Sequence, residues 1–87
     1  MEIRNLSVNN LIEDITKMIV ETLNLAEAPQ LTDDLKTLGM DSLNTVSLII
    51  KLEGCFNFEF DDHELHPKNF STILNIIQLV ENKISPK

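Results

Sequence analysis

The 87-residue sequence has no tryptophan, no tyrosine and a single cysteine. With so few aromatic residues, any core must be mostly aliphatic. One cysteine excludes an internal disulfide. Cys55 reads as a small residue near a helix end rather than a reactive thiol, because no Cys-X-X-Cys and no adjacent histidine supports reactivity. Basic residues are also scarce: 7 Lys and Arg stand against 14 Asp and Glu, a formal charge of −7. That balance excludes nucleic-acid binding, which needs clustered Lys and Arg, and suits basic patches on protein partners. No apolar run approaches the roughly 18 residues of a membrane span. Met1-Glu2-Ile3-Arg4-Asn5 lacks a signal-peptide core. A soluble, monomeric, cytoplasmic protein with no membrane partner is expected.

The segment Asp61-Asp62-His63-Glu64-Leu65-His66 lacks the glycine and alternating carboxylates of a calcium loop. His63 and His66, three apart, would share a helical face and offer a metal two ligands. Without a further ligand set they read as solvated polar residues, so no metal site is expected.

What is present is 43% apolar residues, enough for one folded domain over residues 1–87. Ser7-Val8-Asn9-Asn10 reads as the cap of a first helix whose apolar face is Leu11, Ile12, Ile15, Met18, Ile19, Thr22 and Leu23. Residues 24–37 contain Pro29 and no sustained period, and read as a long ordered loop pinned by Leu25, Leu31, Leu35 and Leu38. A second helix begins at Asp41 or Ser42 and runs to about Phe56. Residues 57–60 are extended. Asp61 or Asp62 caps one helical turn that ends before Pro67. A last helix, capped by Ser71, buries Ile73, Ile76, Ile77 and Val80, helped by Leu74 and Ile84, and stops at Pro86. The expected architecture is an all-α, small four-helix bundle: three main helices, one short one and a long first loop.

Leu38-Gly39-Met40-Asp41-Ser42-Leu43 places a serine hydroxyl at the head of the second helix. No general base lies near it in sequence, so Ser42 is a poor nucleophile. Free amide N–H groups and the helix dipole favour a phosphate there. The helix behind it carries two apolar stripes. Thr45, Leu48, Ile49, Leu52 and Phe56 fall on one side and suit the core. Leu43, Val46 and Ile50 fall nearly opposite. A chain this small cannot readily bury both sides, so the second stripe reads as a partner surface rather than as packing beneath the loop.

These residues, continued by Thr45-Val46, Leu48, Leu52-Glu53 and Phe56, resemble the phosphopantetheine attachment region of acyl and peptidyl carrier proteins. The resemblance covers essentially the whole chain and implies a carrier-protein bundle. It implies that Ser42 receives phosphopantetheine from coenzyme A through a phosphopantetheinyl transferase. Cargo would then be held as a thioester on the terminal thiol. Asp41, Leu43, Val46 and Ile50 would meet partner enzymes, with Glu53 as a nearby charge. Those partners would be the transferase, an adenylating or transacylating loading enzyme, and condensing or transfer enzymes. Carriers of fatty acid synthesis tend to have acids along the second helix, whereas here Asn44 and Ser47 are neutral and Lys51 is basic. Residues 67–73 look more like freestanding aminoacyl or aryl carriers of nonribosomal peptide, siderophore or D-alanyl transfer systems. Met40-Asp41 before the serine, conversely, looks more like an acyl carrier than the Gly-rich version common in peptidyl carriers, so the resemblance leaves the subfamily open, with a dedicated secondary pathway favoured over bulk fatty acid synthesis. The alternatives are an acyl carrier of fatty acid or polyketide synthesis and, more distantly, an unmodified helical interaction module. A catalyst is not expected: His63 and His66 lie on a separate segment, and the domain is too small for a core and an enclosed pocket.

Overall fold

The computed structural model describes residues 8–84. Three α-helices carry these residues: α1 (Val8–Leu23), α2 (Ser42–Phe56) and α3 (Ile73–Ile84). Short 3-10 turns at Leu35–Leu38, Asp62–Leu65 and Pro67–Phe70 link them, and no strand occurs among the described residues. The all-α bundle is as expected. The connections are more structured than expected, with one 3-10 turn inside the first loop and two, not one, between α2 and α3.

Helix α1 forms because Leu11, Ile15 and Ile19 recur every fourth residue and are all buried. Asn24, at a left-handed φ of 56°, ends it, and the Leu25 N–H closes back on the Val20 carbonyl at 3.0 Å. The expected Ser7 cap and the Pro86 stop lie outside the described residues. Asn9 and Asn10 lie within α1.

Helix α1 packs on both α2 and α3. Its stripe meets Leu48 and Leu52 of α2 and Ile73, Ile76, Ile77 and Val80 of α3 in one core. Leu35, Met40, Phe60 and Phe70 close that core from the connections. Leu25, Leu31 and Leu38 pack half-buried against it, as the loop reading required. Phe60 makes edge-to-face contacts with Phe58 at 4.8 Å and with Phe70 at 5.8 Å between ring centroids.

The start of α3 differs from expectation. Thr72, not Ser71, caps it: the Thr72 hydroxyl accepts the Asn75 N–H at 3.0 Å. The Ser71 hydroxyl is turned back to donate to the Lys68 carbonyl at 2.9 Å, because Pro67–Phe70 forms its own turn and Ser71 closes it. The Ser71 carbonyl and Leu74 N–H pair with Leu35 and Leu31, tying the first loop to α3. Leu74 itself is exposed and adds little to the core face.

A polar clamp fastens the far end of α3. Lys83 Nζ lies 2.9 Å from Glu64 and 3.7 Å from Asp61. Glu64 Oε1 also accepts the Asp61 N–H at 2.7 Å. That backbone hydrogen bond holds the Glu64 carboxyl below its ordinary pKa, with Lys83 adding to the effect against partial desolvation. The hydrogen bond to Glu64 in turn raises the Lys83 ammonium above its ordinary value.

Candidate functional site

The turn before α2 is built residue by residue. Asp34 caps the Leu35–Leu38 turn, its carboxylate accepting the Lys36 N–H at 3.0 Å. Gly39 closes that turn at a φ of 112°, a conformation that disfavours any side chain. The chain then drops Met40 into the core, where its N–H donates to the Leu35 carbonyl at 2.9 Å. With Met40 anchored, extended Asp41 faces outward, and its Oδ1 accepts the Asn44 N–H at 2.8 Å as the cap of α2. The Asp41 carbonyl takes both the N–H and the hydroxyl of Thr45. Asn44 Nδ2 donates to the Gly39 carbonyl at 3.0 Å, locking the turn from the helix side.

This construction leaves Ser42 exposed as the first residue of α2. Its hydroxyl has no hydrogen-bond partner among the described residues. The N–H groups of Ser42 and Leu43 precede any carbonyl four residues back within the helix, so they are free for an acceptor. Such a terminus favours an anion. No carboxylate or imidazole hydrogen-bonds to the Ser42 hydroxyl. His66 is occupied elsewhere, its Nδ1 accepting the Lys68 N–H at 3.1 Å. The hydroxyl is presented, not activated, which suits a group that is modified by another protein.

Along α2 the two stripes separate as their angles require. Leu48 and Leu52 are fully buried, whereas Thr45, Ile49 and Phe56 are half-buried on the same side. Opposite them, Leu43, Val46 and Ile50 are 80%, 53% and 63% exposed. They do not pack beneath the first loop. Three large apolar side chains are thus held in water on the face of α2 that begins beside Ser42, the kind of patch an interaction site presents.

The expected charges around that stripe have local partners. Asp41 caps α2. Glu53 is half-buried, and its Oε2 accepts the Phe60 N–H at 3.0 Å, tying α2 to the segment after it. Lys51 Nζ donates to Thr22 on α1 at 3.2 Å and so turns away from the stripe. His63 and His66 do not share a helix: His63 lies in the Asp62–Leu65 turn and His66 is extended between turns. Asp61, His63 and Glu64 do cluster, and Lys83 pairs with both carboxylates. The anchoring role of Met40 and the tie made by Glu53 were not foreseen. Neither has a sequence signal, since each depends on a neighbour fixed by the fold.

Residues 13–80 match the family model described as the phosphopantetheine attachment site. This chain belongs to that carrier family. An acyl carrier protein of Helicobacter pylori (strain J99) is 37% identical over 79 residues, covering 86% of this chain and 97% of the relative. One from Buchnera aphidicola is 36% identical over 78 residues, covering 87% and 95%. Aminoacyl carrier protein 1 of Bradyrhizobium diazoefficiens is 28% identical over 86 residues, covering 99% and 96%. The carrier bears phosphopantetheine as a covalently attached group, whose terminal thiol holds acyl cargo as a thioester. It is a carrier and not a catalyst, and its kind interacts with phosphopantetheinyl transferase and acyl-handling enzymes. No described helix is long and apolar enough to cross a membrane.

Proposed function

We propose that Ser42 is the attachment residue and that this carrier serves a dedicated aminoacyl or secondary-metabolite pathway in the cytoplasm as a monomer. The single observation that supports Ser42 is its free, exposed hydroxyl at the capped head of α2, beside unpartnered N–H groups. In the transfer, the Ser42 oxygen forms the new bond to phosphorus and coenzyme A loses its nucleotide bisphosphate. The hydroxyl proton leaves to a base on the transferase. Asp41, Leu43, Val46 and Ile50 form the surface that partners grip, with the apolar stripe giving affinity and the spare Asp41 oxygen orientation.

The pathway reading rests on the charge pattern of α2. Asn44, Ser47 and Gly54 are uncharged, Glu53 is tied to Phe60, and Lys51 is turned to α1. An enzyme that finds its carrier through a row of acids on this helix would not find one here. The aminoacyl carrier relative, matched over 99% of this chain, favours the same reading. The 37% identity to an acyl carrier protein favours a second one, an acyl carrier of fatty acid or polyketide synthesis. Loading assays separate them. The phosphopantetheinylated carrier should accept an amino or aryl acid from an adenylating enzyme encoded beside it, and react poorly with a malonyl transacylase. Efficient malonylation with no adenylating partner would establish the second reading instead.

A further inference from the structure

Asn44 stands at a position where α2 would favour an acid. It is the third residue of the helix, near the positive end of the dipole, and an acidic side chain there commonly reaches back to the N–H of the capping residue. Asn44 reaches further. Its carboxamide passes the cap, Asp41, and donates to the Gly39 carbonyl five residues back, at 3.0 Å. A carbonyl only accepts, so the amide nitrogen must face it. An aspartate of the same shape could not make this bond, because an ionised carboxylate has no proton to give. The Asn44 backbone N–H is meanwhile held by the Asp41 carboxylate at 2.8 Å. Asn44 therefore fastens two of the three residues that lead into Ser42. Gly39 depends on such bonds. It has no side chain to pack, a Cβ there would meet nothing within 4 Å, and its φ is 112°. Its peptide is held by its N–H on the Lys36 carbonyl at 3.2 Å and by its carbonyl on Asn44.

We infer that Asn44 is a positioning residue for the modification of Ser42. By donating to the Gly39 carbonyl it fixes the backbone on the approach to Ser42. The hydroxyl and the free N–H groups at the head of α2 are then presented in one arrangement before the transferase binds. Asn44 acts through the turn and touches neither the phosphorus nor the leaving group. Without its bond the turn samples other arrangements. An enzyme that binds only the competent arrangement then sees a lower apparent affinity, reduced by the fraction of carriers in that arrangement. The chemical step, taken from the same bound state, keeps its rate. The inference rests on the assignment of Ser42. It adds a reason for a neutral donor at the third position of α2: the turn needs a proton there, not a charge.

The test uses the whole carrier, coenzyme A, Mg and a broad-specificity phosphopantetheinyl transferase, with kcat and KM read from intact mass. Amide hydrogen exchange of the free carrier, read by NMR, reports the turn. Asn44→Ala and Asn44→Asp both remove the donor. Asn44→Asp keeps the shape and suits the helix dipole, so its Tm should stay within about 2 °C of the unaltered protein. In both variants the Gly39 and Met40 N–H groups should exchange about tenfold faster. The Ile76 N–H, bonded to Thr72 at the head of α3, should exchange as before. KM should rise about threefold in both, with kcat unaltered. The sign for Asn44→Asp separates positioning from direct contact. An acid that met a basic enzyme surface would lower KM, whereas loss of the lock raises it. A lower or unaltered KM in Asn44→Asp, with Ser42 still modified, would overturn the inference and leave the attachment assignment standing. Unaltered exchange at Gly39 and Met40 would also overturn it, since the donor would not be what holds the turn. Modification that persists in Ser42→Ala would remove the attachment assignment, and this role with it.

Discussion

Asp41 carries two roles that a pair of substitutions can separate. Its carboxylate caps α2 through the Asn44 N–H, and its charge is proposed to orient the enzymes that act at Ser42. Asp41→Asn keeps an N-cap acceptor and removes the charge, so Tm should hold while modification slows. Asp41→Ala removes both, and should also cost about 1 kcal/mol of stability. Thermal melts run beside transferase kinetics check this, and equal Tm loss in both variants would show that the charge stabilises the helix end. The signal for Asp41 and Ser42 was legible in the sequence, because capping and helix starts follow from local residue type. The dependence of both on Met40 and Gly39 was only partly legible. Gly39 announced a turn, but which residue drops into the core after it is decided by Leu35 and the packing beneath.

Helix α2 holds the sharpest contrast among the elements. Leu48→Ala should leave a cavity and cost about 2–4 kcal/mol, since Leu48 is fully buried. Ile49→Ala should cost less, because Ile49 is only half-buried. Val46→Asp should leave the circular dichroism signal and Tm close to unaltered and slow modification or loading. An unfolded Val46→Asp would return the stripe to the core. These faces were legible because a period of 3.6 residues sorts side chains without reference to any neighbour. The connections were less so. Ser71 looked like the cap of α3, yet Pro67–Phe70 forms its own turn and hands that role to Thr72. Leu74 looked like core, yet its position relative to Leu31 leaves it exposed. Those outcomes depend on how separate segments meet.

For the whole molecule, the clamp between α3 and the Asp62–Leu65 turn sets a pH dependence. The folded pKa of Glu64 lies below its ordinary 4.5, so its contribution is present above that value and disappears as pH falls through the folded pKa. Lys83 is raised above 10.5, so its contribution is present below that value and is lost as pH rises through the folded pKa. Both therefore act together across neutral pH. The Tm gap between the unaltered protein and Glu64→Gln should be open at pH 7 and close as pH falls below 4.5. A gap independent of pH would mean that Glu64 acts through packing instead. That Asp61 or Asp62 caps a helical turn was legible in the sequence, but the link from Glu64 to Lys83, nineteen residues further on, could be seen only in the fold.

Attachment of a single group at Ser42 is the proposal on which the carrier role of this surface depends. Its most direct test is intact mass after incubation with coenzyme A, Mg and a phosphopantetheinyl transferase, for the unaltered protein and for Ser42→Ala. The unaltered protein should gain the mass of one phosphopantetheine group. Ser42→Ala should gain none while melting at nearly the same temperature, since the lost hydroxyl is exposed and unbonded. Modification that persists in a folded Ser42→Ala protein would place the attachment on another residue and overturn the assignment of Ser42.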